Sequence, residues 1–185
     1  MSGELTTSVH DSWTALTRLL RAATWPYVVD GSLTLDPVDD EVAVYFGDPD
    51  QAQPDENGNA PHAIERVVVV SEIESPEIEW GPVGRLADDE RYRISVNVSS
   101  FLPGRTSAQA SARLKQLVDV VFGVVRAVNA ARPSTSPAEF AHYPANWAWH
   151  VSQARPRIPP TSVGYVGICE ISVDCQFRVG VPPIP

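Results

Sequence analysis

Lysine is almost absent from this sequence, and positive charge is scarce. Lys115 is the single lysine, and 14 Lys and Arg residues stand against 23 Asp and Glu residues, a formal net charge of -9. A protein that grips the phosphate backbone of nucleic acid needs clustered Lys and Arg to displace counterions. The charge balance therefore argues against such a protein. It favours an ordinary soluble acidic surface, or a surface that nucleic acid passes without sticking.

Long apolar runs and a secretory leader are missing as well. The longest apolar stretches, residues 67–70 and 120–125, are far shorter than the run of about 18 apolar residues that spans a membrane. Residues 1–7 are polar, with no basic stretch followed by an apolar one. We therefore expect no membrane-spanning segment and no secretory signal, and a protein that at first resides inside the cell.

Cysteine is limited to Cys169 and Cys175. In an extended strand, a spacing of six residues separates two side chains by about 20 Å, so a disulfide within that strand is excluded. The sequence has no CxxC pair and no His/Cys cluster, and zinc is therefore not indicated. We predict two buried free thiols.

Catalytic motifs are also lacking. The sequence has no GxGxxG, GxxxxGK[ST], GxSxG or HExxH, so the nucleotide-binding, acyl-transfer and zinc-hydrolase templates lack their defining residues. None of the four histidines has an acid or nucleophile at a spacing that indicates catalysis: His10, His62, His142 and His150. We predict a protein that is not an enzyme and uses no cofactor.

What the chain does have is the length and composition of one globular domain, residues 1–185. Its apolar fraction of 43% and charged fraction of 20% are ordinary for such a domain. Apolar residues at helical spacing predict a helix over residues 8–23, which Trp25-Pro26 ends. A longer helix is predicted from Thr106, an N-cap residue with Gln109 three positions on. Its second apolar side suggests that it lies between a sheet and either the first helix or another subunit.

Five segments have strand character. Residues 41–46, 64–73 and 91–98 precede the long helix, and residues 147–152 and 169–179 follow it, with proline-rich connections at 131–144 and 155–160. This order predicts an α+β fold: a two-layer sandwich with a mostly antiparallel or mixed sheet of about five strands and two helices on one face.

Residues 47–61 are acidic and rich in Pro, Gly and Asn, and we predict a mobile loop between two strands. Its carboxylates are hard oxygen ligands, but their spacing does not match a calcium-binding EF-hand loop. No metal site is predicted. The acidic side chains of interest are Asp48, Asp50, Asp55 and Glu56.

Trp147 and Trp149 share one face of a predicted strand. With Tyr143 and His150 they would suit a stacking platform for a base or a sugar. Such platforms come with basic grooves, and the nearest cations are Arg155 and Arg157. We therefore favour an apolar strand face that is buried in the core or at a subunit interface.

The segment at residues 77–85 contains Glu79, Trp80, two glycines and Arg85 between two predicted strands. A loop with a large aromatic and an arginine is typical of a binding hot spot. The alternative is a β-turn with Trp80 packed onto the sheet.

Several segments beyond residue 41 combine into a larger pattern. They are Glu79-Trp80, Gly84-Arg85, the run from Asp89 to Val96, the Pro103-Gly104 turn, an Ala-rich helix from Ser107, and the closing strand at residues 167–179. In order and type they resemble the tail terminator family of long-tailed, siphovirus-type phages, particularly those of actinobacterial hosts.

That resemblance implies an α/β virion subunit without catalysis, at the head-proximal end of the tail and assembled in the host cytoplasm. The subunits would form a homo-oligomeric ring, a hexamer, that caps the tail tube protein and receives the head-completion proteins, with DNA passing through unbound. We expect ring contacts at Glu79, Trp80, Arg85, Trp147 and Trp149, and lumen or inter-ring contacts in the acidic loop. Alternatives are another head–tail connector or minor tail protein, and a small binding module that uses the Trp147 and Trp149 face.

Overall fold

The computed structural model describes residues 8–25, 42–47, 65–79, 87–101, 105–130, 137–141, 143, 147–162 and 164–180. Helix α1 is Ser8–Arg21 and helix α2 is Ser107–Ala130, with a short 3₁₀ helix at Ala138–Phe140. The strands are β1 (Ala43–Gly47), β2 (Glu65–Glu79), β3 (Ala87–Phe101), β4 (Trp147–Arg157), β5 (Pro160–Thr161) and β6 (Gly164–Gly180).

The strands form one sheet in the order β1-β2-β3-β6-β4, and the two-residue β5 pairs with β6 at one end. β1 is parallel to β2, and the other pairs are antiparallel. The predicted fold class, an α+β arrangement with a mixed, mostly antiparallel sheet, is confirmed.

Strict alternation in β3 and β6 determines which face of the sheet is covered. Ile94 lies opposite Val173, and Val96 lies opposite Ile171, and all four side chains are fully buried. Leu16 of α1 belongs to the same buried cluster. Because successive side chains of a strand point to opposite faces, both helices lie on this face, which is called here the helix face.

Gly167 lets α2 approach β6 closely. A Cβ atom at this position would lie 3.0 Å from the Leu114 Cβ and 3.2 Å from the Ala110 carbonyl oxygen. Both distances are tighter than ordinary van der Waals contact. The absence of a side chain at Gly167 therefore sets how closely the helix packs on the strand.

The predicted helix N-terminus is confirmed in detail. The Gln109 N–H donates to Thr106 Oγ1 at 3.3 Å, and the Thr106 N–H donates to Gln109 Oε1 at 2.9 Å. This reciprocal pair is a capping box that satisfies two backbone donors at the start of α2.

The two cysteines are also as predicted. Cys169 and Cys175 are free thiols on the helix face of β6, 1% and 2% exposed. Burial raises the pKa of each thiol. Both therefore act as small core residues.

The main correction to the predicted elements concerns the end of β4. Residues 155–157 were expected in a proline-rich connection, but β4 continues to Arg157, with Arg155 opposite Glu170 and Pro156 opposite Cys169 on β6. Pro156 is tolerated because, among the described strands, β4 pairs with β6 alone. A proline in an edge strand can direct its missing N–H toward the side without a partner.

A buried ion-pair cluster fastens α2 to β2 and β3. Arg113 donates from Nε to Glu65 Oε1 at 2.7 Å, and its Nη2 atom donates to Glu65 Oε2. Ser100 also donates to Glu65 at 2.7 Å, and Arg105 donates to the Ser100 hydroxyl at 3.2 Å. The Glu65, Arg105 and Arg113 side chains are each 5% exposed. We call this set the Glu65 cluster.

Candidate assembly surfaces

Trp147 and Trp149 lie in the core of the chain, 2% and 1% exposed. The Phe140 ring lies 4.7 Å from the Trp147 ring and 5.2 Å from the Trp149 ring, centroid to centroid. The expectation that these two side chains form a subunit interface is therefore wrong. The sequence left open whether this strand face is buried in the core or at a subunit interface, and in the structure it is buried in the core.

The stacking platform is also corrected, because His150 lies on the opposite face of β4. His150 is exposed and lies opposite Asp174, whereas Trp149 lies opposite the buried Cys175. The Asn129 side chain of α2 accepts a hydrogen bond from the Trp149 N–H at 3.1 Å and donates to the Trp149 carbonyl. β4 is thus pinned to α2, and its tryptophans are held inward.

Phe140 packs on the two tryptophans, and Tyr143 packs on Phe140. Phe140 was not predicted as a core residue, and Tyr143 was considered only as a member of the aromatic group with the tryptophans. Both lie in the connection that was identified only by its Pro and Ser content, and they are 1% and 4% exposed. Tyr143 donates a hydrogen bond to Asp11 of α1 at 2.9 Å. Burial is the main cause that raises the pKa of Tyr143, and the hydrogen bond to the Asp11 carboxylate raises it further. The signal available was a pair of aromatics in a connection that has no other large apolar side chain.

The segment around Trp80 is only partly described. Glu79 is the last residue of β2 and lies opposite Asp89 on β3, so the two strands are paired up to the connection between them. Trp80 and Arg85 lie outside the described residues, and their predicted role in subunit contacts stays a prediction.

The acidic loop residues Asp48, Asp50, Asp55 and Glu56 also lie outside the described residues. The distribution of charge along the sequence is nevertheless informative. The described residues contain 13 acidic and 12 basic residues, whereas residues 26–64 contain nine acidic residues and no Lys or Arg. The negative charge of the chain is thus concentrated in the two segments that precede and follow β1.

The most chemically suggestive cluster joins α1 to β3. The Ser8 N–H donates to Glu90 Oε2 at 2.9 Å, and the Ser12 and Tyr92 hydroxyls are 2.7 Å apart. Ser8 and Ser12 are fully buried, and burial raises the pKa of Tyr92. The Glu90 carboxylate satisfies a free N–H at the start of α1 and complements the helix dipole. The hydrogen bonds of this cluster join its own members to one another, and they hold α1 against β3.

The sheet face opposite the helices is called here the open face. On it, Arg93 donates to Asp174 at 2.8 Å, and Arg178 donates to Asp89 at 2.8 and 3.0 Å. In each pair the two residues are directly opposite in the β3–β6 register. These part-exposed pairs contribute little to stability, and they make this face polar.

The end of β4 is the most basic part of the open face. Residues 152–157 are all exposed, and Arg155 and Arg157 lie opposite Glu170 and Ile168. Ile168 is 40% exposed. Within the described parts of the chain, neither guanidinium lies within ion-pair distance of a carboxylate. Arg155, Arg157 and Ile168 are called here the β4 patch.

β1 is the other edge of the sheet. Phe46 is 47% exposed, and its ring centroid lies 5.5 Å from that of Trp13. Arg21 of α1 donates to the Val44 carbonyl at 3.2 Å. One backbone acceptor of this edge strand is therefore already engaged.

Other kinds of site are not seen in the described ranges. These ranges contain no group of three or more His, Cys, Asp or Glu residues that could hold a metal ion. None of the helices described is long and apolar enough to cross a membrane.

No protein-family model matches this sequence, and no curated protein is significantly similar to it. The fold and surfaces define a mixed-sheet α+β protein whose polar sheet face carries no described helix.

Proposed function

We propose that this chain is a structural subunit of a phage tail terminator ring, which caps the tail tube and joins it to the head-completion proteins. The observation that carries the proposal is where the resembling segments lie. The run from Asp89 to Val96 is in β3, residues 167–179 are in β6, and the helix from Ser107 is α2. β3 and β6 are neighbours, and α2 packs on them. The three resembling segments that the structure describes thus lie in one continuous part of the fold.

The distribution of side chains supports the same role. The buried apolar residues of β3 and β6 point to the helix face, whereas the open face has paired charges and small polar groups. The clusters with chemically reactive groups, at Ser8 and at Glu65, are buried and internally hydrogen-bonded. Contacts with other proteins are then the use that the exposed face and the sheet edges support.

The test is assembly. Purified protein, alone and mixed with terminator-free tail tubes, is examined by sedimentation velocity and negative-stain electron microscopy. A closed six-fold ring, or a cap at one end of the tube, is expected. A protein that stays monomeric at high concentration and binds no tube end refutes the proposal, and binding only to DNA-filled heads would assign it to a connector layer instead.

DNA binding gives a second readout. A ring through which DNA slides is expected to bind duplex DNA weakly even at low salt, because tight binding would require clustered phosphate contacts. Tight binding of duplex DNA at about 50 mM salt would contradict a ring lumen through which DNA slides without binding.

A further inference from the structure

We propose that one end of the open face binds an acidic protein surface that carries an apolar side chain. The site consists of the β4 patch and Arg66 of β2, which are called here the basic end of the open face. Its occupant is a partner protein other than a copy of this chain. The inference goes beyond the proposed function, because it concerns a surface of the single chain.

Strand register brings these residues into one row. Arg66 lies opposite Ser99, Ser99 lies opposite Ile168, and Ile168 lies opposite Arg157. The row therefore crosses β2, β3, β6 and β4, and its two arginines are about 14 Å apart at the usual strand spacing. All four positions are on the open face, because Ser99 and Ile168 alternate with the buried residues of the helix face.

Positive charge dominates this end of the open face. The next row across the same strands consists of Val68, Asn97, Glu170 and Arg155. The two rows together contain three arginines and one carboxylate. Toward the other end of the face, Arg93 and Arg178 are each paired with an aspartate. The basic end therefore complements a surface that is rich in carboxylates.

An apolar side chain lies among these cations. Ile168 is 40% exposed, between Ser99 and Arg157 in the row. Protein interfaces typically have an apolar centre and a polar rim, and arginine is enriched in them. The basic end has both features, so its composition is that of a protein-binding surface.

Duplex DNA is a poorer match for this surface. A protein that holds the phosphate backbone uses clustered Lys and Arg at several contacts. Here Glu170 lies opposite Arg155 and would repel a phosphate group, and Ile168 has no favourable contact to offer one. An acidic protein surface can place carboxylates on the arginines and an apolar side chain on Ile168.

A second copy of this chain is also a poor source of the carboxylates. Among the described residues, several carboxylates are already engaged within their own chain. Asp89, Asp119, Asp174 and Glu139 are paired with a cation, and Glu65 and Glu90 are buried. These groups are not available to the arginines of another copy. We therefore assign the basic end to a different protein.

The test is the binding of a fluorescently labelled peptide that repeats Glu-Glu-Leu-Glu-Glu, measured by fluorescence anisotropy. Because the chain has a net charge of -9, it does not attract an acidic peptide in general, and binding reports a local surface. Arg155→Glu/Arg157→Glu should raise the Kd at least about tenfold and leave the thermal unfolding temperature unchanged, since both residues are exposed.

Two controls separate the basic end from the rest of the chain. Lys115→Glu/Arg126→Glu makes the same change in charge on exposed residues of α2 and should bind the peptide like wild type. Ile168→Ser should weaken binding of this peptide, but not of a peptide in which serine replaces leucine. If the charge reversal does not fold, Arg155→Gln/Arg157→Gln is used in its place.

The outcomes decide between the possible occupants. No binding by wild type, or equal binding by wild type and the charge-reversed variant, refutes the inference. Duplex DNA that displaces the peptide would assign the basic end to nucleic acid instead. Self-association of wild type that the charge reversal abolishes would assign it to a second copy. The assay contains no tail, so its result is independent of the capping experiment that tests the proposed function.

Discussion

Replacing Glu65 by glutamine removes one charge from a buried cluster that holds three. In the native protein the Glu65 carboxylate accepts hydrogen bonds from Arg113 and Ser100, and Arg105 approaches it to 4.0 Å. Glutamine has nearly the same shape and can still accept a hydrogen bond. The substitution therefore changes charge rather than packing, and it leaves two arginines in a site where each is 5% exposed.

The magnitude follows from that burial. Breaking a buried ion pair by removing one partner costs about 3–5 kcal/mol, because the remaining buried charge loses its counter-ion. Here two buried arginines, Arg105 and Arg113, lose the same carboxylate, so we expect the upper part of that range. Since the free energy of unfolding of such domains is about 5–15 kcal/mol, Glu65→Gln should bring the protein close to its stability limit.

The assay is urea unfolding followed by tryptophan fluorescence, with Arg113→Met and the double variant Glu65→Gln/Arg113→Met completing a thermodynamic cycle. The double variant should lose less stability than the sum of the single variants, since the two residues interact directly. Lys115→Gln is the control: it breaks an exposed pair with Asp119 and should cost less than about 0.5 kcal/mol. A loss below about 1 kcal/mol for Glu65→Gln would refute the argument that this cluster is desolvated.

Three further predictions concern stability. Gly123→Ala should stabilise the protein by about 0.5–1 kcal/mol in urea unfolding, because Gly123 is in the middle of α2 and a Cβ there meets nothing within 4 Å. Gly167→Ala should instead destabilise it by about 1–3 kcal/mol, since that Cβ meets Leu114 and the α2 backbone, and equal effects at the two glycines would contradict this account. Arg18 holds the pKa of Glu139 below its usual value by hydrogen bonding. This pair stabilises the protein by less than about 1 kcal/mol, because Arg18 is half exposed. The stabilisation is present at neutral pH and is lost as the pH falls through the lowered pKa of Glu139. Glu139→Gln should abolish that loss in a comparison of unfolding at pH 7 and pH 3.

The sequence pattern was most informative where one face of an element is buried. The strand predicted over residues 91–98 lies within β3, whose alternating Ile94 and Val96 are buried, and Thr106 with Gln109 identified the start of α2. These are local signals, because they depend on residues a few positions apart. The order of the strands, including the parallel β1, depends on contacts between distant residues and left no local pattern.

The candidate site was harder to predict for a related reason. An aromatic strand face such as that of Trp147 and Trp149 shows that something covers it, but not whether the cover belongs to the same chain. Here the cover includes Phe140, from a stretch whose proline content suggested only a connection. Likewise, Pro156 masked the strand that carries Arg155 and Arg157, so the β4 patch was not predicted.

The protected edges of the sheet have a consequence for how copies of this chain can meet. Pro156 and the engaged Val44 carbonyl deny an incoming strand a continuous ladder of backbone hydrogen bonds. Two copies that meet in a wrong orientation are then held together by a few side chains and dissociate quickly. Two copies joined by a wrongly paired strand would dissociate slowly. Such a chain is less prone to be trapped in aggregates that form by strand pairing when copies of it are crowded together.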